Sequence, residues 1–314
     1  MNKPRIGSLF SGVGGLDLAV EEVTGGHGAT ARSPGRGRMT TTEPRIAGPD
    51  PFGPPRKHRS VSQLKQYERC PYSYKLARID RAWQRPAAWT AQGSAVHEAI
   101  EAWERSGRTM SLEEMTAVFR KSYDKYINES CADTPNFKAW FASGPYDGKR
   151  DISRREDIGQ DQCEKYIKWA ESHPEEVIWI APDGTPGIEL AFDIDLDGVL
   201  IRGYIDAVLQ IEDELRVRDH KTGNQPGDDF QLGVYAVALA ETYGIEAPTI
   251  GDYWMGRAGK PTYPFDLTDW PRDRVAEEFH KLEENIQAER FDPLPEPDKC
   301  KFCDVAHACS FAVG

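Results

Sequence analysis

No stretch of this 314-residue chain approaches the roughly 18 to 20 consecutive apolar residues that a membrane span requires. The N-terminus also lacks the apolar core and cleavage site of a secretory signal, so a cytoplasmic protein with no membrane partner is expected. Positive charge is in short supply: 39 Lys and Arg stand against 51 Asp and Glu, a formal charge of -12. Phosphate binding needs cations concentrated on a surface, which argues against indiscriminate coating of nucleic acid. It does not exclude a narrow basic groove, and a cation site built from carboxylates is itself acidic until its ions arrive. Cysteine is scarce too. In a cytoplasmic setting the six thiols favour metal binding or reactive chemistry over disulfides. The remaining composition, 39% apolar and 29% charged, is ordinary for a soluble protein with one substantial core.

Residues 24 to 59 have almost no large apolar side chains and are rich in Gly, Pro, Ser, Thr and Arg, the composition of a disordered linker. Its Arg32, Arg36, Arg38, Arg45 and Arg56 could touch phosphates, but a solvated tail is the plainer reading. Residues 1 to 23 read as a short strand (Ile6 to Phe10), a glycine turn (Gly12, Gly14, Gly15) and the start of a helix. Their run SLFSGVGGLDLA resembles the cofactor-binding first motif of DNA cytosine-C5 methyltransferases. The likeness stops there, with no Pro-Cys nucleophile loop and no room for the remaining strands. A vestigial fusion, or a start codon misplaced upstream of Met39, is expected instead of a working methyltransferase.

Order is expected from Ser60, an N-cap for the helix SVSQLKQYER, with a second helix opening at Cys70-Pro71. Gly93 to Arg105 carries Val96, Ala99, Ile100 and Trp103 on one helical face, and Ser111 with Glu114 forms a capping box for a helix through Ile127. Residues 130 to 180 read as an irregular helical insert. From Gly187 the period changes. Ile188, Leu190, Phe192, Ile194 and Leu196 alternate with polar or small residues, Asp197-Gly198 turns the chain into a strand over Val199 to Ile211, and residues 212 to 214 turn it again into Leu215 to Lys221. A helix over Asp229 to Thr242, strand-like residues near 250 to 265 and an amphipathic helix bearing Val275, Phe279, Leu282 and Ile286 complete an α/β pattern with a mixed sheet.

Four segments carry chemistry together: GSAVHEAIEAW (93 to 103), GYIDAV (203 to 208), RDHKTG (218 to 223) and QLGVYAVAL (231 to 239). Strand alternation puts Asp219 and Lys221 on one face, and an antiparallel neighbour can bring Asp206 beside them. Two converging carboxylates imply a bound cation. Oxygen ligands suit Mg²⁺ or Mn²⁺, and an imidazole, for which His97 is the candidate, shifts the preference toward Mn²⁺. Gln231 and Tyr235 share one helical face, from which they could orient Lys221 or contact a phosphate.

Singly, each signal has an ordinary structural explanation. In this order and spacing the set resembles the RecB-like branch of the PD-(D/E)XK nucleases, over about four-fifths of the chain from Ser60 to Phe311. The resemblance implies a restriction-endonuclease-like core whose mixed sheet is flanked by helices. It also implies metal ligation by His97, Asp206, Asp219 and the backbone carbonyl of His220, with Lys221 positioning or activating water. Glu189 is placed near the site without a direct role.

Cys300, Cys303 and Cys309 are spaced so closely that a fourth ligand would close a tetrahedral zinc site or a cubane cluster, and Cys70 is the candidate. Ligand chemistry alone does not separate the two. The Tyr-Glu-Arg-Cys-Pro-Tyr context of Cys70 and the C-x2-C-x5-C triplet resemble iron-sulfur RecB-type nucleases, which implies a 4Fe-4S cluster in preference to zinc. Cys131 and Cys163 fall outside this pattern as ordinary thiols. The resulting expectation is a metal-dependent exonuclease acting on DNA ends, single-stranded above all, in recombination, repair or phage DNA metabolism. The alternatives are a CRISPR-adaptation trimming nuclease working with an integrase and a non-catalytic DNA-end-binding iron-sulfur subunit. No G-x-x-x-x-G-K-[ST] phosphate loop is present, so unwinding would need a helicase partner.

Overall fold

A computed structural model describes residues 57–314. The methyltransferase-like fragment and all of the linker before Lys57 lie outside the described residues. Arg59 is buried: its backbone bridges Ile201, and its Nε donates to Glu283 at 2.6 Å. Ser60 then caps α1 (Val61–Arg69) by accepting from the Gln63 N–H. Cys70 breaks the helix with extended backbone, and Pro71 opens α2 (Pro71–Tyr74), which widens into a looser turn over Lys75–Ile79.

Three long helices follow. α3 (Ala88–Arg105) starts five residues before the expected Gly93, because Ala88, Ala91 and Gln92 are already buried and extend its packed face. α4 (Leu112–Asp133) opens on the expected Ser111–Glu114 capping box, and α5 (Gly148–Ser172) is capped by Asp147. Residues 130 to 180 thus hold the end of α4, an irregular link over 134 to 147 and the whole of the regular α5. Gly159 lets α5 approach α4 closely, since a Cβ there would lie 2.1 Å from the Phe119 ring.

The sheet begins with β1 (Val177–Ile178), and the expected meander follows as β2 (Ile188–Leu196), β3 (Val199–Ile211) and β4 (Glu214–Lys221). All neighbours in this part are antiparallel. α6 (Asp229–Tyr243) crosses over and ends at Gly244, whose φ of +64° suits a left-handed cap. β5 (Ile250–Met255) then runs parallel to β4, which makes the sheet mixed, and β6 (Lys260–Pro261) and β7 (Phe265–Asp266) pair with β5. α7 (Arg272–Gln287) and the short α8 (Pro297–Lys301) close the chain.

The sheet is covered on both faces. Leu190, Phe192, Ile201, Ile205 and Val217 pack with Phe230, Leu232, Val234 and Leu239 of α6 and with Val275, Phe279 and Leu282 of α7. α6 is apolar nearly all round because it lies between sheet and helix. On the other side Val96, Ile100 and Trp103 join Phe119, Tyr166 and Trp254. Alternation along β4 therefore aims Asp219 and Lys221 at α6, and Arg218 and His220 at the α3 and α5 side.

Arg218 is held on that side by Asp252 Oδ1 at 2.6 Å and Glu176 Oε2 at 2.6 Å, in bonds from two different nitrogens. Removing one partner of a buried ion network leaves charge uncompensated, so Arg218→Ala is expected to lower unfolding stability by about 3–5 kcal/mol. Urea denaturation measures this, and a loss below about 1 kcal/mol, the range of an exposed pair, contradicts the role assigned to the network.

Candidate active site

The β3–β4 ladder pairs Ala207 with Arg218, which sets Asp206 level with Asp219. α3 lays His97 over the same ends of the strands. His97, Asp206, Asp219 and His220 are each between 1% and 5% exposed, so their charges are removed from water and need neutralising partners. Asp206 Oδ2 accepts the His220 backbone N–H at 2.7 Å, and His97 Nε2 faces the His220 carbonyl at 2.9 Å. The other ring nitrogen of His97 lies 3.4 Å from Glu189 Oε1 and 3.6 Å from Asp206 Oδ2.

Across β4, Asp219 meets α6. Its Oδ1 accepts from Gln231 Nε2 at 2.6 Å and from the Tyr235 hydroxyl at 3.1 Å, while Oδ2 faces Lys221 Nζ at 2.8 Å. Gln231 Oε1 accepts from Lys221 Nζ at 2.9 Å, and Gln231 Nε2 also donates to the Tyr235 hydroxyl at 2.8 Å. Gln231 thus bridges Lys221 and Asp219. The end of β4 is pinned as well: Gly256 N–H donates to the Lys221 carbonyl at 2.8 Å, and Gln162 Nε2 to the Thr222 carbonyl at 2.9 Å. Gln162 belongs to a buried chain with Gln92, Arg155 and Asp151 that sequence reading missed, because polar residues scattered along two helices carry no periodic signal.

Electrostatics follow from this crowding. Burial pushes the Asp206 carboxyl well above its usual range, against the pull of His97, and Asp219 and Glu189 push it further. Burial likewise raises Glu189. Burial disfavours the charged His97 ring, but Asp206 and Glu189 outweigh it and hold the imidazole up at about 9. Burial lowers His220, reinforced by the positive charge of His97. Metal-free protein should therefore lose stability as pH rises. The folded His97 value lies above the unfolded 6.5, so its contribution is complete below pH 6.5 and disappears through about 9. This contribution is at most about 3 kcal/mol. Melting in EDTA across that window checks it; a melting temperature that is flat or rises with pH contradicts it.

Ligand atoms of His97, Asp206 and the His220 imidazole lie within 4.8 Å of one another, close enough to share one ion. The His220 side chain was not among the expected ligands, where only its carbonyl was named. Asp219 stands outside that trio because Gln231 and Tyr235 hold its carboxylate on the α6 side. Buried carboxylates and imidazoles fit a divalent cation. His97, Asp206 and Asp219 with the His220 carbonyl or ring would hold it. Such an ion supplies Lewis-acid polarisation of a phosphoryl oxygen and a water of lowered pKa. Lys221, tethered by Gln231 and Asp219, presents an ammonium to an anionic oxygen beside it.

Residues 58–310 match the PD-(D/E)XK nuclease superfamily. The chain belongs to this superfamily. Along this PD-(D/E)XK nuclease, 258 residues are 58% identical to the Gene 69 protein of Mycobacterium phage D29, covering 80% of the chain and 96% of that protein. The Gene 69 protein of Mycobacterium phage L5 is 53% identical over 277 residues, covering 80% and 95%. A solved structure from Eubacterium rectale that carries the provisional name of exonuclease aligns with a TM-score of 0.40 and 14% identity, covering 82% of this nuclease and 90% of that chain.

The cysteines lie away from this centre. Cys70 Sγ accepts the Leu294 N–H at 3.5 Å, Arg69 donates to the Lys299 carbonyl at 2.7 Å, and Arg85 N–H to the Asp304 carbonyl at 2.9 Å. Cys303 and Cys309 pack on Leu76, Ala77 and Val305. Burial raises the Cys303 thiol to about 11, and Cys70 is near enough to contribute to the rise. Cys70 thus lies near Cys303 of the C-terminal triplet. Cys163, fully buried in α5, is pushed up to about 12, and Cys131 sits on α4.

Proposed function

We propose that this nuclease is a metal-dependent DNA exonuclease that hydrolyses phosphodiester bonds at DNA ends, with single strands as its main substrate. The observation that carries this is the approach of His97 and His220 to Asp206, with Asp219 level with Asp206 on β4 and bridged to Lys221 through Gln231. Mg²⁺ or Mn²⁺ at that position, Lys221 beside it, and Gln231 and Tyr235 holding Asp219 give the parts that phosphodiester hydrolysis requires. Both relatives belong to phages, which favours phage DNA metabolism, in recombination or repair, as the setting.

We further propose a 4Fe-4S cluster on Cys70, Cys300, Cys303 and Cys309. The C-x2-C-x5-C spacing and the nearness of Cys70 to Cys303 support this reading. The cluster would tie α2 to the chain end, a structural task.

Anaerobically purified protein incubated with end-labelled single- and double-stranded DNA tests the activity. Release of labelled nucleotides with Mn²⁺ or Mg²⁺, abolished by EDTA, is the expected result. Binding of ends without cleavage under any metal contradicts it and returns the end-binding subunit as the reading.

A further inference from the structure

Glu189 occupies an unusual place in the chain. It is the second residue of β2, between Ile188 and Leu190, which pair with Ala207 and Ile205 and so leave Glu189 opposite Asp206. Its φ is +44°, a left-handed conformation inside a strand, which a side chain with a Cβ adopts only at an energetic cost. That bend is held from α3: Arg105 Nη2 donates to the Ile188 carbonyl at 2.9 Å, and the same helix carries His97. The Glu189 carboxylate ends 3.4 Å from His97 Nδ1. Asp206 Oδ2 is farther, at 3.6 Å, and already accepts the His220 N–H.

We propose that Glu189 is the positioning residue of the metal centre. By accepting a hydrogen bond from His97 Nδ1, it keeps Nε2, which faces the His220 carbonyl at 2.9 Å, as the nitrogen that would give up its proton and turn its lone pair to an ion bound there. A carboxylate behind a metal-binding imidazole locks the ring and raises its basicity. The +44° φ is local backbone strain at the residue whose carboxylate meets His97, strain that persists where the surrounding structure over-determines it. This inference rests on the metal-site reading above, and it assigns Glu189 no contact with the ion.

Mn²⁺ affinity, measured by calorimetry without DNA, tests it in the full-length protein. Glu189→Ala is expected to weaken binding roughly 10–100-fold, whereas Glu189→Gln, which keeps an acceptor oxygen, should stay within a few-fold of wild type. In a His97→Ala background, Glu189→Ala should add no further loss, because its partner is gone. Glu189→Gly relieves the positive φ and should melt higher than Glu189→Ala while binding Mn²⁺ as weakly. This variant keeps the test open if the alanine protein folds poorly. Equal losses in the Gln and Ala variants make Glu189 a direct ligand and overturn the proposal, as does unchanged affinity in the Ala and Gly variants. A wild-type protein that binds no Mn²⁺ removes the metal-site reading and this inference with it.

Discussion

Lys221→Ala is expected to lower DNA cleavage by about 10²–10⁴-fold, the range for removing a positioned proton-transfer or charge-stabilising group. Asp206→Ala and Asp219→Ala should lose at least as much, because each also removes a proposed ligand of the cation. None of the three should unfold the protein. Burial and two neighbouring carboxylates disfavour the charged form of Asp206, and their relief offsets what its loss takes from His97 and the His220 N–H. Single-turnover cleavage of labelled DNA with circular dichroism melts on the same samples separates the two effects. Wild-type-like cleavage by any one purified variant takes that residue out of the site.

The second large effect is expected at Cys70. It is separated from the triplet by some 230 positions, and α1, α2 and the C-terminal segment bring it back against residues 294 to 304. Cys70→Ala should lose iron and the brown colour as fully as Cys303→Ala does. Opening so long a loop costs about 5 kcal/mol on a chain-entropy reckoning. That corresponds to a fall in melting temperature of about 10–20 °C for a domain of this size. Cys131→Ala and Cys163→Ala should keep wild-type iron content. Zinc in place of iron, with the same shared instability, would replace the cluster but keep the clamp. Full iron content in Cys70→Ala alongside its loss in Cys303→Ala contradicts the clamp itself.

Much of this architecture was legible in the sequence because its signals are periodic. The period-two runs from Ile188 to Lys221, broken by Asp197-Gly198 and by residues 212 to 214, gave the meander, and alternation placed Asp219 and Lys221 on one face. The Gln231–Tyr235 spacing on α6 correctly aimed both side chains at that face. What was not legible depends on backbone geometry or on contacts distant in sequence. The positive φ of Glu189 has no signal in the sequence. The Gln92–Gln162 contact and the Arg218 network join residues 34 to 70 positions apart, with no spacing rule to connect them.

The central claim, cleavage from DNA ends at a divalent-cation centre, is tested most directly by linear and circular single-stranded DNA of one sequence, digested in parallel with Mn²⁺ and with EDTA. The linear strand should be degraded to small products with Mn²⁺, the circle should survive, and EDTA should protect both. Cutting of the circle at the rate of the linear strand, or degradation of either in EDTA, would contradict it.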